Sequence, residues 1–287
     1  MQVVSFGSLN YDMSIWLDRL PNPDETLRAT KMQTFCGGKG ANQATAAARL
    51  GAEAYLVGCV GNDDRGDWLL EMLTASKVNI SHVRRVAEPT GTAVPLITPE
   101  DVSIVVASGA NASTNVDDAE AASELIATSD VLLIQGEAAA AGARRAAQIA
   151  RKAATTVLVN PAPVDPFLIE AVVPLADVLV VNRVEQAQIK AIGLDTSGCQ
   201  TILTLGSGGA QVNDVVVPPF PITTVDQTGA GDAFCGALGV AIAEGTTILD
   251  AVRFANAAGA LASSQAGAQP SMPTRQAVQA LLSRGNS

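Results

Sequence analysis

Short apolar runs at residues 131–135, 156–159, 178–181 and 201–205 are separated by alanine-rich stretches of helical spacing. That alternation leaves few folds open. Neighbouring parallel strands are joined only through a crossover, so strand–helix–strand repeats imply a parallel sheet covered by helices on both faces. The same rhythm opens the chain, with a strand at 3–7, a helix at 41–50, a strand at 54–60 and an amphipathic helix around Trp68, Leu69, Met72 and Leu73. Two strand pairs interrupt it. Residues 13–17 and 27–35 flank the breaker Pro21-Asn22-Pro23-Asp24, and residues 92–97 and 103–107 flank Thr98-Pro99-Glu100-Asp101, with no helix in either gap. The expected fold is therefore α/β, a doubly wound and mostly parallel sheet flanked by helices. A small β-sheet lid comes from about 13–35 and 92–107, all within one domain spanning 1–287.

Polar residues collect where these strands end. Asn10 and Asp12 follow the first strand, Gln135-Gly136-Glu137 a later one, then come Asn160, Asn182-Arg183-Val184-Glu185 and the Thr204–Gly209 loop. Any one of these is also what an ordinary turn looks like. In series, at successive carboxyl ends of an open sheet, they describe one ligand crevice. Residues 221–238 read as a short apolar strand running through Gly229-Ala230-Gly231-Asp232 into a helix at about 231–244, stopped by Gly245. Small residues at a helix start let an anion approach unpaired amides and the positive end of the dipole, with Asp232 beside it. Gly37-Gly38-Lys39-Gly40 leads into another helix. It is not a P-loop, because Gly40 stands where Ser or Thr is required, and no GxGxxG follows the first strand. The last expected elements are a helix at 248–262 carrying Asn256, the Gly267–Ser271 loop, and a helix at 274–282 capped by Thr274.

Bulk properties exclude several classes. A net charge of −10 argues against nucleic acid or an anionic membrane as partner. The single histidine, His82, leaves no Ser-His-Asp chemistry and no histidine-rich metal site. Four scattered cysteines, Cys36, Cys59, Cys199 and Cys235, lack metal-ligand spacing and read as reduced thiols of a cytoplasmic protein. No apolar run reaches membrane-spanning length, and no signal peptide is visible at Met1.

Taken together, Gly37 to Ala44, Gly109-Ala110-Asn111-Ala112, Asn160-Pro161-Ala162-Pro163, Asp226 to Asp232 and Gly267-Ala268-Gln269-Pro270-Ser271 resemble the ribokinase-like (PfkB) carbohydrate kinase family from Val3 to about Pro273. The resemblance implies ATP-dependent phosphorylation of a sugar hydroxyl. Ribose to ribose 5-phosphate comes first; another furanose, such as deoxyribose or a nucleoside, and a non-catalytic sugar-binding relative are the alternatives. It implies Asn10, Asp12, Gly38, Lys39, Gly40, Asn42 and Glu137 around the sugar, Asp232 as base, and Gly229, Ala230 and Gly231 as the anion hole. It places Asn182, Thr204, Leu205, Gly206, Ser207, Gly208, Gly209 and Asn256 on ATP, and Glu185 on Mg2+ through water. Asp226, Thr228, Ala262, Gln265, Gly267 and Ser271 match a monovalent cation loop, K+ in most such kinases, and the lid often makes a homodimer. The segment 186–200 is shorter than is typical of the family.

Overall fold

A computed structural model describes residues 1–284. The described residues form thirteen strands, numbered in chain order: β1 (Gln2–Phe6), β2 (Asn10–Trp16), β3 (Lys31–Gly37), β4 (Glu53–Gly61), β5 (Asn79–Val86), β6 (Thr92–Ile97), β7 (Val102–Ala107), β8 (Val131–Gln135), β9 (Thr156–Asn160), β10 (Val178–Asn182), β11 (Gln200–Thr204), β12 (Ala210–Val212) and β13 (Val215–Val217). The helices are α1 (Lys39–Arg49), α2 (Asp64–Ala75), α3 (Val116–Ala121), α4 (Ser123–Thr128), α5 (Ala140–Ala153), α6 (Pro166–Val172), α7 (Arg183–Ile192), α8 (Ala230–Ala243), α9 (Ile248–Ser263), α10 (Ala268–Ser271) and α11 (Arg275–Arg284).

The main sheet has nine strands in the order β13-β12-β11-β10-β9-β8-β1-β4-β5. All are parallel from β11 to β5, and β12 and β13 add an antiparallel hairpin at one edge. Successive side chains alternate between two cores. Val3, Leu133, Leu158 and Val180 face α1, α8, α9 and α11. Val4, Leu132, Ile134, Val157, Val159, Leu179 and Val181 face the layer that includes α5 and α6. The order reverses between β1 and β8, so their carboxyl ends flank the topological switch point where α/β proteins bind ligands. Among the described residues, no helix is long and apolar enough to cross a membrane.

The smaller sheet runs β3-β2-β6-β7 and is mixed: β2 pairs antiparallel with β3 and parallel with β6, and β6 pairs antiparallel with β7. Several boundaries differ from the sequence reading. The lid strand begins at Asn10, so Asn10 and Asp12 lie on β2 itself and not in a turn after β1; its partner starts at Lys31, later than residue 27. Strand β5 was not anticipated, because its pattern is half-polar, with Arg84 and Arg85 inside it. The β12–β13 hairpin was also missed, each arm being only three residues long. Residues 221–225 do not form a strand. The Val225 and Asp226 N–H groups both donate to Ser263 O, at 2.8 and 3.1 Å, so this backbone is tied to the end of α9 and not to a ladder. The Gly267–Ser271 loop carries one helical turn, α10.

Candidate active site

The placement of Asp232 follows from small residues. Helix α8 is buried on nearly every side between the sheet, α1 and α9. One turn beyond Asp232, Gly236 presses against α1 so closely that a Cβ there would lie 2.6 Å from Ala46 Cβ and 2.7 Å from Gln43 O. That approach brings the first turn of α8 against Asn42 and Gln43. Asp232, only 5% exposed, accepts from Asn42 Nδ2 at 2.8 Å on one oxygen and from Gln43 Nε2 at 3.1 Å on the other. Helix α8 starts at Gly229, which holds φ +79, a left-handed conformation costly for other residues. The Ala230 N–H is turned back to Gln227 O at 3.2 Å, so of the expected anion hole it is Gly231 that faces open space.

Two polar regions meet at this carboxylate. On the lid side, Asn10 and Asp12 rise from β2, and Gly37 lies opposite on β3, where any Cβ would collide with the Asp12 carboxyl. Glu137, just past β8, accepts from the Ser8 hydroxyl, from Asn10 Nδ2 at 3.4 Å and from the Lys39 N–H at 3.4 Å. Asn111 locks the corner, donating to Asn10 Oδ1 at 2.7 Å and to Leu9 O at 3.0 Å. Gly38, at φ +88, turns the chain from β3 into α1. Asp12 Oδ1 and Asn42 Oδ1 are buried acceptors with no donor, the state expected of groups waiting for hydroxyls. Burial, then the charges of Glu137 and Asp232, raise the Asp12 pKa to about 7, against the opposing pull of Lys39.

On the other side, a cleft of about 230 Å³ is lined by Lys39, Asn160, Asn182, Glu185, Thr204, Gly229, Gly231, Asp232 and Cys235, with Gln227 at its rim. Burial disfavours the Lys39 ammonium, but Asp232, Glu137 and Glu185 outweigh it and raise its pKa. Lys39 therefore spans both regions, whereas the sequence put it with the sugar alone. Asn182 and Glu185 form a capping box on α7: Asn182 Oδ1 accepts from the Val184 and Glu185 N–H groups, both at 2.9 Å, and Glu185 accepts from the Asn182 N–H at 2.8 Å. Burial raises the Glu185 pKa, opposed by the Asn182 N–H and by Lys39.

Thr204 ends β11, and Leu205, Gly206, Ser207, Gly208 and Gly209 turn tightly through one 3₁₀ turn, closed by Leu205 N–H to Gly209 O at 2.8 Å. Asn256 is less available than the sequence suggested: its amide donates to Val217 O and Pro218 O at 3.1 and 3.2 Å, anchoring the strand edge. In the Asp226 loop, the carboxylate accepts from Thr228 N–H at 2.9 Å and Gly267 N–H at 2.8 Å, which joins the two segments. Burial pushes the Asp226 pKa up, and those bonds more than reverse it. The Ser271 hydroxyl donates to Ala268 O, and Gln265 N–H donates to Ala262 O.

The sequence reading gave no role to Gln43, Asn111 or Ser8, and took Gln135 only as one of the polar residues at the strand ends. Asn111 lay within a quoted motif but carried no role. Gln43 had a signal, as a second amide beside Asn42 in a helix whose interior is otherwise made of small residues.

An open parallel sheet with a buried carboxylate at a helix N-terminus, between a hydroxyl-ready pocket and a cleft at the strand ends, is an arrangement suited to phosphoryl transfer onto a small polyhydroxylated molecule. The profile of the pfkB family carbohydrate kinases matches residues 1–275, and the chain belongs to that family. The ribokinase of Bacillus subtilis (strain 168) is 37% identical over 289 residues, covering 96% of this chain and 98% of the relative. Among solved structures, the ribokinase of Thermotoga maritima aligns with TM-score 0.86 at 31% identity, covering 98% of this chain and 99% of that one. The Arabidopsis thaliana ribokinase, solved in complex with ribose and ATP, aligns with TM-score 0.82 at 31% identity over 98% of both chains.

Proposed function

We propose that the protein transfers the γ-phosphoryl group of ATP to the primary hydroxyl of D-ribose, giving ribose 5-phosphate, with Asp232 as the base. The observation that carries this reading is the position of Asp232, in the first turn of α8, between two buried, donor-less acceptors on the lid side and the cleft at the strand ends on the other. The likeness to ribokinases, one of them solved with ribose and ATP, supports the choice of substrates.

In this mechanism Asn10, Asp12, Asn42, Glu137 and the backbone of Gly38 and Gly40 hold the sugar hydroxyls, and Lys39 offsets charge at the junction. Asp232, fixed through both oxygens by Asn42 and Gln43, accepts the hydroxyl proton as the new P–O bond forms. At the start of α8 the Gly231 amide, rather than the Ala230 N–H held by Gln227 O, faces the transferring phosphoryl group, which gives charge stabilisation without covalent help. Asn182, the Thr204–Gly209 loop and the Asn256 region flank the nucleotide. Glu185 is a lone carboxylate whose oxygens are already engaged by Asn182, a donor set that fits Mg2+ held mainly by phosphates and reached through water. When bound, Mg2+ neutralises phosphate charge. The loop of Asp226, Thr228, Ala262, Gln265, Gly267 and Ser271 offers oxygen donors only, which suits a monovalent cation such as K+.

A homodimer through the lid is part of the reading. Strand β7 leaves Val102, Ile104, Val105 and Val106 all exposed along an open sheet edge, which a second copy would cover. The four free cysteines support work in a reducing cytoplasm. An ADP-release assay with ATP and Mg2+ over ribose, deoxyribose, fructose and nucleosides, in K+ and then in Na+, tests the proposal. Turnover selective for ribose and raised by K+ supports it. Turnover on another sugar moves the substrate, and no turnover on any sinks it.

A further inference from the structure

Behind Asp232 lies a run of amides in which Gln43 and Gln135 line neither polar region, only Asn160 reaching the cleft wall. As a base, Asp232 is a carboxylate and can only accept, so the Gln43 group facing it has to be the NH2. That choice propagates. Gln43 Oε1 then points away from the site and accepts from Gln135 Nε2 at 2.9 Å. Gln135 also donates to Ser5 Oγ at 3.1 Å, and the Ser5 hydroxyl donates onward to Gly40 O at 3.0 Å. The second Gln43 hydrogen reaches Asn160 Oδ1 at 3.4 Å, and Asn160 is itself fixed by donating to Val180 O at 3.0 Å.

Gln43, Gln135 and Ser5 are each fully buried. The space for Gln135 is made by a missing side chain, since a Cβ on Gly7 would overlap its Oε1. Every bond in the series has one permitted direction, set at one end by a carboxylate and at the other by backbone carbonyls.

We propose that Gln43 and Gln135 form a one-directional amide relay that positions Asp232 for proton acceptance, Gln135 acting only through Gln43. The inference rests on the reading of Asp232 as the base. Neither glutamine contacts substrate; each is a positioning residue whose loss leaves the sugar pocket and nucleotide cleft intact but lets the carboxylate turn. Misplacing a reacting group by an ångström costs on the order of 10²-fold in rate, and partial loss of orientation costs less.

The test is steady-state kinetics of Gln43→Met, Gln135→Met, the double variant and Asp232→Asn, with ribose and ATP varied separately. Gln43→Met is expected to lower kcat about 10- to 100-fold, and Gln135→Met about 10-fold, with both KM values within about twofold of wild type. The double variant should be no slower than Gln43→Met alone, because a relay acts in series. Wild-type kcat in either single variant, or a double variant showing the product of the two losses, overturns the relay. If Asp232→Asn loses turnover while both glutamine variants keep it, only the relay falls; if Asp232→Asn keeps turnover, the base reading falls and the relay with it.

Should a methionine variant not fold, Gln135→Glu keeps size and polarity. The neighbours of this position are Ser5, Gly7, Gly40 and the Gln43 amide, with Asp232 beyond. Once ionised, the introduced carboxylate accepts where Gln135 donates and turns the Gln43 amide over, so kcat of the variant relative to wild type falls between about pH 6 and 8.5. A constant ratio across that range overturns the relay.

Discussion

Asp12→Asn is expected to make the ligand-free protein more stable and the enzyme worse. Asp12 sits in β2 with Gly37 against its carboxyl, one oxygen buried without a donor, and Glu137 and Asp232 as charged neighbours. Its pKa rises from 3.8 to about 7 in the folded chain. The folded state therefore holds the proton more tightly than the unfolded chain does. Stability from that preference is full below about pH 4, declines as pH rises, and is gone once pH passes about 7. A shift of this size corresponds to about 4 kcal/mol. Asparagine has the shape of the protonated acid and cannot ionise, so it escapes the loss.

The measurement is apparent Tm of both proteins from pH 4 to 8.5, without and with ribose. Near pH 4 the two should melt together; by pH 8 the variant should melt about 5–8 °C higher, given the entropy of unfolding for a chain of this length. Ribose hydroxyls supply the missing donors, so ribose should raise the wild-type Tm at pH 8 and do little for Asp12→Asn. Its ribose KM should rise on the order of 10- to 100-fold, the worth of a hydrogen bond to a charged group. A variant that melts below wild type at pH 8, or a Tm difference that does not vary with pH, would refute the reasoning.

Three further outcomes follow from separate parts of the molecule. Asp232→Asn should lose on the order of 10²-fold or more in kcat while ribose binding by calorimetry survives; near-full kcat would remove Asp232 as base. Arg84→Ala should cost about 2–4 kcal/mol in urea unfolding at pH 7, because Arg84 Nε donates to Asp118 at 2.6 Å and Asp118 is 6% exposed. Burial raises the Asp118 pKa, and Arg84 together with the Asn115 N–H more than offsets it, so this penalty should shrink as the pH is lowered toward 4. The proposed dimer should be seen in sedimentation of the wild type and lost, with unchanged circular dichroism, when Ile104 and Val105, at side chains 58% and 61% exposed, are together replaced with lysine.

What the sequence made legible depended on whether the cause was local. The continuous apolar runs of β8, β9 and β10 and the small-residue spacing of α8 are properties of neighbouring residues, and all four elements were placed within a residue or two. Strand β5 was not visible, since its edge position leaves one face wet and its arginines break the apolar pattern. Residues 221–225 look like a strand by composition, yet the Val225 N–H bonds to Ser263 O on α9, a long-range fact that no local pattern encodes. The same division holds in the site. Asp232 announced itself through the glycines before it, whereas Gln135 reads as an ordinary strand end until the fold sets it 2.9 Å from Gln43.

The charge arrangement of the site leads to the last prediction. Asp12, Glu137, Asp232 and Glu185 surround a single ammonium, Lys39, in a chain of net charge −10, and the nucleotide side has to receive a polyanion. Backbone amides at the α8 N-terminus favour an anion by about 1 kcal/mol or a little more. A carboxylate about 8 Å from a phosphate charge repels it by about 2 kcal/mol at an effective dielectric of 20, so the two nearest the cleft already exceed that gain. Among the described residues there is no cluster of three or more acidic, histidine or cysteine side chains to hold a metal permanently. If Mg2+ serves this site as proposed, it would arrive on the nucleotide, and the surrounding carboxylates would favour the neutralised complex. Binding of a non-hydrolysable ATP analogue by calorimetry should weaken at least 10-fold when Mg2+ is replaced by EDTA, and raising the salt should recover part of the loss. Equal affinity with and without Mg2+ would mean that the amides and Lys39 suffice alone, and the electrostatic account of this cleft would be wrong.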